Sequence, residues 1–113
     1  MLMNDCLFCS IVSGEIPASV RAETENVLAF DDVNPVAPTH VLVIPKRHIE
    51  SAAQIERADD ELLGELFGVA AGIGMEINGG WRLVSNVGEN AGQSVFHLHF
   101  HVLGGRTMNW PPG

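Results

Sequence analysis

The sequence predicts an α+β fold built on an antiparallel sheet, and three observations carry that expectation. Strand-like stretches come first, then one long helical stretch, then further strands, an order that favours an antiparallel sheet over alternating βαβ units. Val-, Leu- and Ile-rich stretches of strand length are bounded by turn signals, whereas helical periodicity is confined to a short stretch near the start and a long one past the middle. The final strand-like stretch, HLHFHVLGG from His97 to Gly105, holds three of the chain's five histidines at alternate positions.

Each element has a local cause. In DCLFCSIVSG a short helix is expected: Asp5 offers a cap for the first amides, Leu7, Phe8, Ile11 and Val12 fall on one side, and Gly14 offers a stop. EIPA then turns the chain. SVRAET, NVLAFDD and THVLVIPK read as three strands, the first pair joined around Glu25-Asn26 and the third preceded by the proline-punctuated VNPVAPT. Richness in Val, Leu and Ile places the second and third of these centrally. A long helix is expected from Asp59 or Asp60, burying Leu62, Leu63, Leu66, Phe67, Val69, Ala70 and Ile73. Gly64, Gly68, Gly72 and Gly74 each weaken it by about 1 kcal/mol relative to alanine, and their spacing predicts a close approach of the sheet. WRLVSN and SVFHLHFHVLGG complete a sheet of about five strands, with one long and one short helix.

With 113 residues and 46% hydrophobic content, the chain predicts one domain over residues 1–113 with a modest core. A net charge of −8 and a pI near 4.8 argue against a nucleic-acid polymer as partner, since phosphate-backbone binding needs clustered Lys and Arg. A single small nucleotide is compatible with that charge. No apolar run approaches the roughly 20 residues that span a bilayer, and the first residues lack a signal peptide's basic start, so a cytoplasmic protein without a membrane is expected. Cys6 and Cys9 form a C-x-x-C pair, which in a reducing compartment points to metal or redox chemistry rather than a structural disulfide.

On one strand His97, His99 and His101 share a face with Val95, while Phe96, Leu98, Phe100 and Val102 share the other. One ion does not serve all three imidazoles: at roughly 3.3 Å per residue the outer two lie about 13 Å apart, against zinc–nitrogen distances of about 2.0–2.1 Å. Separate roles follow, with a central imidazole doing chemistry. Just upstream, GENAGQSV presents glycine-rich backbone to an anion, and a phosphate held at Gly92, Gln93 and Ser94 would lie against His99. An imidazole attacking phosphorus divides a hard substitution into a covalent phospho-histidine step and a hydrolytic one.

These residues carry a resemblance. HLHFHVL resembles the H-x-H-x-H-x-x signature of the histidine triad superfamily, and the similarity extends through EIPA, LAFDDVNPVAPTHVLVIPKRHI, GQSV and the tail LGGRTMNWPPG. The tail is similar to the histidine triad nucleotide-binding branch, the purine nucleoside phosphoramidases. The resemblance implies a single HIT domain whose sheet continues across a homodimer. It also implies hydrolysis of adenosine or guanosine 5′-phosphoramidates through a nucleotidyl-histidine. Position by position, it makes His99 the nucleophile, His97 and His101 its flanking partners and His40 a further active-site histidine. Ser94 matches the residue that helps protonate the leaving amine, and Asn86, Gly92 and Val95 match phosphate-side contacts. Asp32 matches the carboxylate that accepts both ribose hydroxyls, while Leu7, Phe8, Ile11, Ile16, Phe30 and Val33 match the base pocket. Asn109 stands where this branch's tail commonly has a histidine.

The resemblance to zinc-containing histidine triad relatives pairs His48 and His97 with Cys6 and Cys9 as the ligands of one structural zinc per chain. The alternative is a metal-free cysteine pair packed as small hydrophobes. Two functional alternatives stand beside the phosphoramidase: a dinucleoside polyphosphate hydrolase or nucleotidyl transferase, and a nucleotide-binding regulatory or scaffold protein with incidental hydrolysis. The expected partners are a purine nucleotide and a second copy of the chain.

Overall fold

The computed structural model describes residues 5–113. In chain order the elements are α1 (Leu7–Val12), β1 (Val20–Glu23), β2 (Val27–Asp31), β3 (Thr39–Pro45), α2 (Asp60–Gly74), β4 (Trp81–Val84) and β5 (Phe100–Gly104), with short 3₁₀ turns at Ala52–Gln54, Arg57–Asp59 and Glu89–Ala91. The strands form one antiparallel sheet in the order β1-β2-β3-β5-β4. The two most apolar strands, β2 and β3, lie in its interior, as their composition predicts, because a strand covered on both faces loses the polar half of its alternation.

Register sorts the side chains onto two faces. Val27 and Ala29 of β2, Val41 and Val43 of β3, and Phe100 and Val102 of β5 join Leu66, Ala70 and Ile73 of α2 in one buried cluster. On the opposite face Leu28 and Phe30 of β2 meet Leu42 and Ile44 of β3 under Phe8 of α1. Thus α2 covers one side, and the short α1 covers part of the other. Among the described residues no helix is long and apolar enough to cross a membrane.

The structure departs from expectation at several places. Only Phe100–Gly104 of the histidine stretch is strand; His97 and His99 precede it. The ladder between β3 and β5 runs from Thr39↔Gly104 to Val43↔Phe100, and past it the Leu98 amide donates to the Ile49 carbonyl at 2.6 Å instead of to β3. Phe96, expected on the apolar face, is 46% exposed. The cap of α1 is Cys6, whose sulfur accepts from the Cys9 amide at 3.4 Å, and Asp5 does not serve.

Of the four α2 glycines only Gly74 meets a neighbour, since a Cβ there would lie 2.3 Å from the Trp81 indole; at Gly64, Gly68 and Gly72 it would meet nothing within 4 Å. These three form an exposed stripe, so their spacing marks the helix's outer side rather than an approach of the sheet. Phe67, expected to be buried, is 44% exposed, although its ring stacks on Phe100 with centroids 5.1 Å apart.

Candidate active site and metal centre

The face of the sheet that α1 leaves partly uncovered holds a cavity of about 620 Å³, within the range of small-molecule sites. Its apolar wall comes from Leu7, Phe8 and Ile11 of α1, Ile16, Phe30 and Val33, and its polar end from Asp32, Ser94, Val95, His99 and His101. Every base-pocket residue expected from the sequence therefore lines one space. Pro17, Ala18, Ser19, Asn34 and Leu42 line it too. Leu42 was open to the same reasoning, because it shares a strand face with His40 and pairs with His101.

Three histidines of alternate spacing find three different partners. His99 Nδ1–H donates to the backbone carbonyl of His97 at 2.7 Å, which leaves Nε2 as a lone pair. His101 Nδ1 lies 2.8 Å from His40 Nε2. The Val36 amide donates to His40 Nδ1 at 3.1 Å, so the His40 proton sits on Nε2 and faces His101 Nδ1, with Asp32 Oδ2 also 3.3 Å away. Neutral His101 consequently carries its proton on Nε2, a buried atom without a hydrogen-bond partner among the described residues. Two adjacent imidazoles, with centroids 4.9 Å apart, then offer opposite functions: His99 a lone pair, His101 a donor.

Burial keeps this row neutral. It holds His99 below the ordinary histidine range against the opposing pull of the His97 carbonyl and of Asp32, and it lowers His40 against the pull of Asp32. His101 falls to about 4, through burial first and then through His99 and His40. A neutral imidazole is the form that attacks. Asp32 Oδ1 accepts the Asn34 amide at 2.8 Å, and carboxylate oxygens retain lone pairs for further donors.

The glycine-rich loop is held from within. Gln93 is buried, with its amide nitrogen donating to the Glu50 and Val95 carbonyls at 2.8 and 3.1 Å and its oxygen accepting the Gly88 amide at 2.9 Å. Its side chain is thus committed to the loop. Gly92 takes φ +93°, a conformation that favours glycine, and its ideal Cβ would lie 4.0 Å from the Asn86 amide nitrogen. Asn86, Gly92 and Gln93 lie outside the cavity lining, whereas Ser94 and Val95 are part of it.

His97 belongs elsewhere. Its Nε2–H donates to the Pro45 carbonyl at 2.8 Å, which turns Nδ1 toward Cys6 Sγ at 3.3 Å, Cys9 Sγ at 3.5 Å and His48 Nδ1 at 3.2 Å. Cys9 Sγ lies 3.4 Å from His48 Nδ1. All four ligand atoms fall within 4.8 Å of one another. A tetrahedral zinc with bonds of about 2.05 Å to nitrogen and 2.3 Å to sulfur has edges of about 3.3 Å (N···N) and 3.6 Å (N···S), so the donor set fits the ion. Orientation of a ligand histidine by a backbone carbonyl is the usual outer arrangement of such sites. Burial, and then Cys6 beside it, push the Cys9 thiol up to about 11; a cation between the sulfurs is what lets both ionise.

Three imidazoles at alternate positions leading into β5, each with its own partners and the central one facing a small-molecule cavity, define a histidine-triad protein. The chain belongs to the HIT domain family, whose model matches residues 13–108. An uncharacterized HIT-like protein of Synechocystis is 45% identical over 114 residues, which cover 99% of this chain and 100% of that protein. A 14 kDa zinc-binding protein of Zea mays is 47% identical over 111 residues, covering 95% of this chain and 87% of that one. Among solved structures, a HIT family hydrolase from Legionella pneumophila has a TM-score of 0.92 at 49% identity, with 96% of this chain and 100% of that one covered. A HIT family hydrolase from Clostridium thermocellum has a TM-score of 0.90 at 40% identity, with 96% of each covered.

Proposed function

We propose that the chain is a purine nucleoside 5′-phosphoramidate hydrolase that works through a covalent nucleotidyl-histidine at His99. The observation that carries the reading is the 2.7 Å bond from His99 Nδ1–H to the His97 carbonyl, since it aims an unprotonated Nε2 at whatever the cavity holds. The base packs against Leu7, Phe8, Ile11, Ile16, Phe30 and Val33, and Asp32 accepts the ribose hydroxyls. His99 Nε2 attacks phosphorus, the P–N bond to the leaving amine breaks, and the amine departs with a proton delivered through Ser94. Water then attacks phosphorus, the P–Nε2 bond breaks, and the nucleoside monophosphate leaves. The His101 Nε2–H donates to a phosphoryl oxygen where charge builds, the kind of fixed donor that lowers such barriers. His40 and Asp32 hold His101 in that tautomer, and Asn86, Gly92, Gln93 and Val95 shape the phosphate side.

A structural zinc at Cys6, Cys9, His48 and His97 belongs to this reading. It supplies cross-linking rather than Lewis-acid chemistry, because four side chains fill a tetrahedral shell and leave no open position.

So does a homodimer. The edge at β1 is blunted by a bulge between Val20 and Ala22 and by Arg21 and Glu23, whereas the edge at β4 is regular and half-buried along its length. Beside it Phe67 of α2 and Met75 at its C-cap are exposed with the glycine stripe. An open regular edge is a template for pairing. Trp110, 81% exposed with the Arg82 guanidinium 6.0 Å from its ring centroid, is a second contact for the partner copy. A cytoplasmic location also belongs to this reading, since reduced Cys6 and Cys9 would hold the metal there.

The test is turnover of adenosine 5′-phosphoramidate against diadenosine polyphosphate, with mass spectrometry of acid-quenched enzyme to locate a nucleotidyl group on His99. Faster turnover of the polyphosphate would favour the same chemistry with another leaving group. Binding without turnover would favour a nucleotide-binding regulator.

A further inference from the structure

We propose that Cys6 and Cys9 are an oxidation-sensitive pair whose state sets the nucleotide affinity of the cavity. The inference rests on the metal and nucleotide readings above and adds to them a modification site.

The two sulfurs are placed to join. Cys6 caps α1 and its Sγ accepts the Cys9 amide at 3.4 Å, so both sit on one turn, and their sulfurs lie within 4.8 Å of each other. They are also accessible: both cysteines are part-exposed, His48 beside them is exposed, and all three line an open depression of about 830 Å³. Small oxidants reach them from solvent.

Their state bears on the cavity through α1. The helix has six residues, far below the length at which an isolated helix persists. Its first turn is tied to the rest of the molecule by the cluster of Cys6 and Cys9 with His48 and His97. The same helix gives the cavity Leu7, Phe8 and Ile11. Phe8 links the two directly, its ring edge-on to His97 at 5.9 Å and to His99 at 5.1 Å.

A peroxide supplies the oxidant. One thiolate attacks a peroxide oxygen, an S–O bond forms, the O–O bond breaks, and the departing oxygen leaves as water after taking a proton. The second thiolate attacks that sulfur, the S–S bond forms, and the S–O bond breaks to release a second water. Two electrons pass from the sulfurs to the peroxide, and two protons come from solvent. A disulfide removes both sulfur ligands and leaves only His48 and His97, too few for a closed site. With its tie gone, α1 loosens and takes the base wall with it. The His99–His97 backbone contact does not involve sulfur, so binding weakens more than the covalent step.

The experiment uses metal-loaded full-length protein, hydrogen peroxide, and adenosine monophosphate as the binding probe. Metal release, free thiols and Kd by calorimetry are followed together. Expected are loss of one metal and two thiols per chain with an intrachain disulfide, and a Kd about tenfold weaker, a typical strength of coupling between sites. Dithiothreitol with added zinc should restore both. A Cys9→His variant keeps four metal-ligating side chains and lacks the disulfide partner; whatever its starting Kd, peroxide should not shift it. Metal and thiols lost with Kd unchanged would overturn the proposal, as would a peroxide shift of the same size in Cys9→His. Before any oxidant is added, failure to load metal or to bind adenosine monophosphate would instead strike the reading beneath, and the switch with it.

Discussion

The sheet has two faces, and they differ in what they bury. Against α2 lies a continuous apolar cluster that includes Val27, Val41, Leu66, Ala70 and Val102, each with no exposed surface. Against α1 lies a smaller cluster around Phe8, Phe30 and Ile44, and there the chain buries His40, His97 and His99. Burying polar groups costs free energy unless each finds a partner, and these do: a backbone amide, two backbone carbonyls, neighbouring imidazoles and sulfurs. The α2 face can therefore carry stability while the α1 face keeps neutral imidazoles beside an open cavity. The neutral imidazoles and the main apolar core are separated by the thickness of one sheet.

The largest effect that would break this division is on turnover. His99→Ala should lower kcat by at least about 10³-fold while adenosine monophosphate affinity and the melting temperature stay close to those of the parent, because only the covalent route needs this imidazole. Retention of several per cent of kcat would remove His99 as nucleophile. On the other face, Leu66→Ala should cost about 3 kcal/mol in denaturant unfolding and leave kcat of the folded protein unchanged. A parallel loss of kcat would mean that the faces are coupled.

Acid should act on the α1 face. Folding holds His101 at about 4 against an ordinary 6.5, and lowers His40 and His99 in the same direction. Unfolded chains then bind protons first. The stability that His101 contributes is complete above pH 6.5 and is lost as pH falls through its folded value near 4, and His40 and His99 act in the same direction. A pH series of urea midpoints should decline over that window, and His101→Gln should flatten the decline. The smallest effect should come from Asp32→Asn, which should raise KM for ribonucleotides by about tenfold, the loss of one charged hydrogen bond, and for 2′-deoxy substrates by less. Equal changes for both would make Asp32 a support for His40 alone.

Much of this was legible in the sequence. Apolar runs between turn signals, with alternation in the last, located five strands, helical periodicity located α2, and the incompatibility of strand rise with one ion's coordination already divided the three histidines. The grouping of Cys6, Cys9, His48 and His97 came from resemblance, and their ligand atoms do converge. What escaped depends on backbone. Nothing in the residue types says that β5 starts only at Phe100, because the break follows from where Leu98 sends its amide. Cys6 rather than Asp5 caps α1, against ordinary cap preference, since its sulfur is also held by the cluster. Nor do residue types show that three backbone groups engage the whole side-chain amide of Gln93.

The Val36 amide acts on the imidazole row from outside the cavity lining. Its N–H fixes the proton of His40 on the nitrogen that faces His101, and so decides which way a string of three donors runs, ending at the Nε2–H of His101. The side chain at position 36, 59% exposed, takes no part. Orientation of protons along the imidazole row is thus written into one peptide plane of the loop between Pro35 and Pro38. A survey of side-chain substitutions there would pass over it, and only proline, which deletes the N–H, would let His40 turn its polarity around.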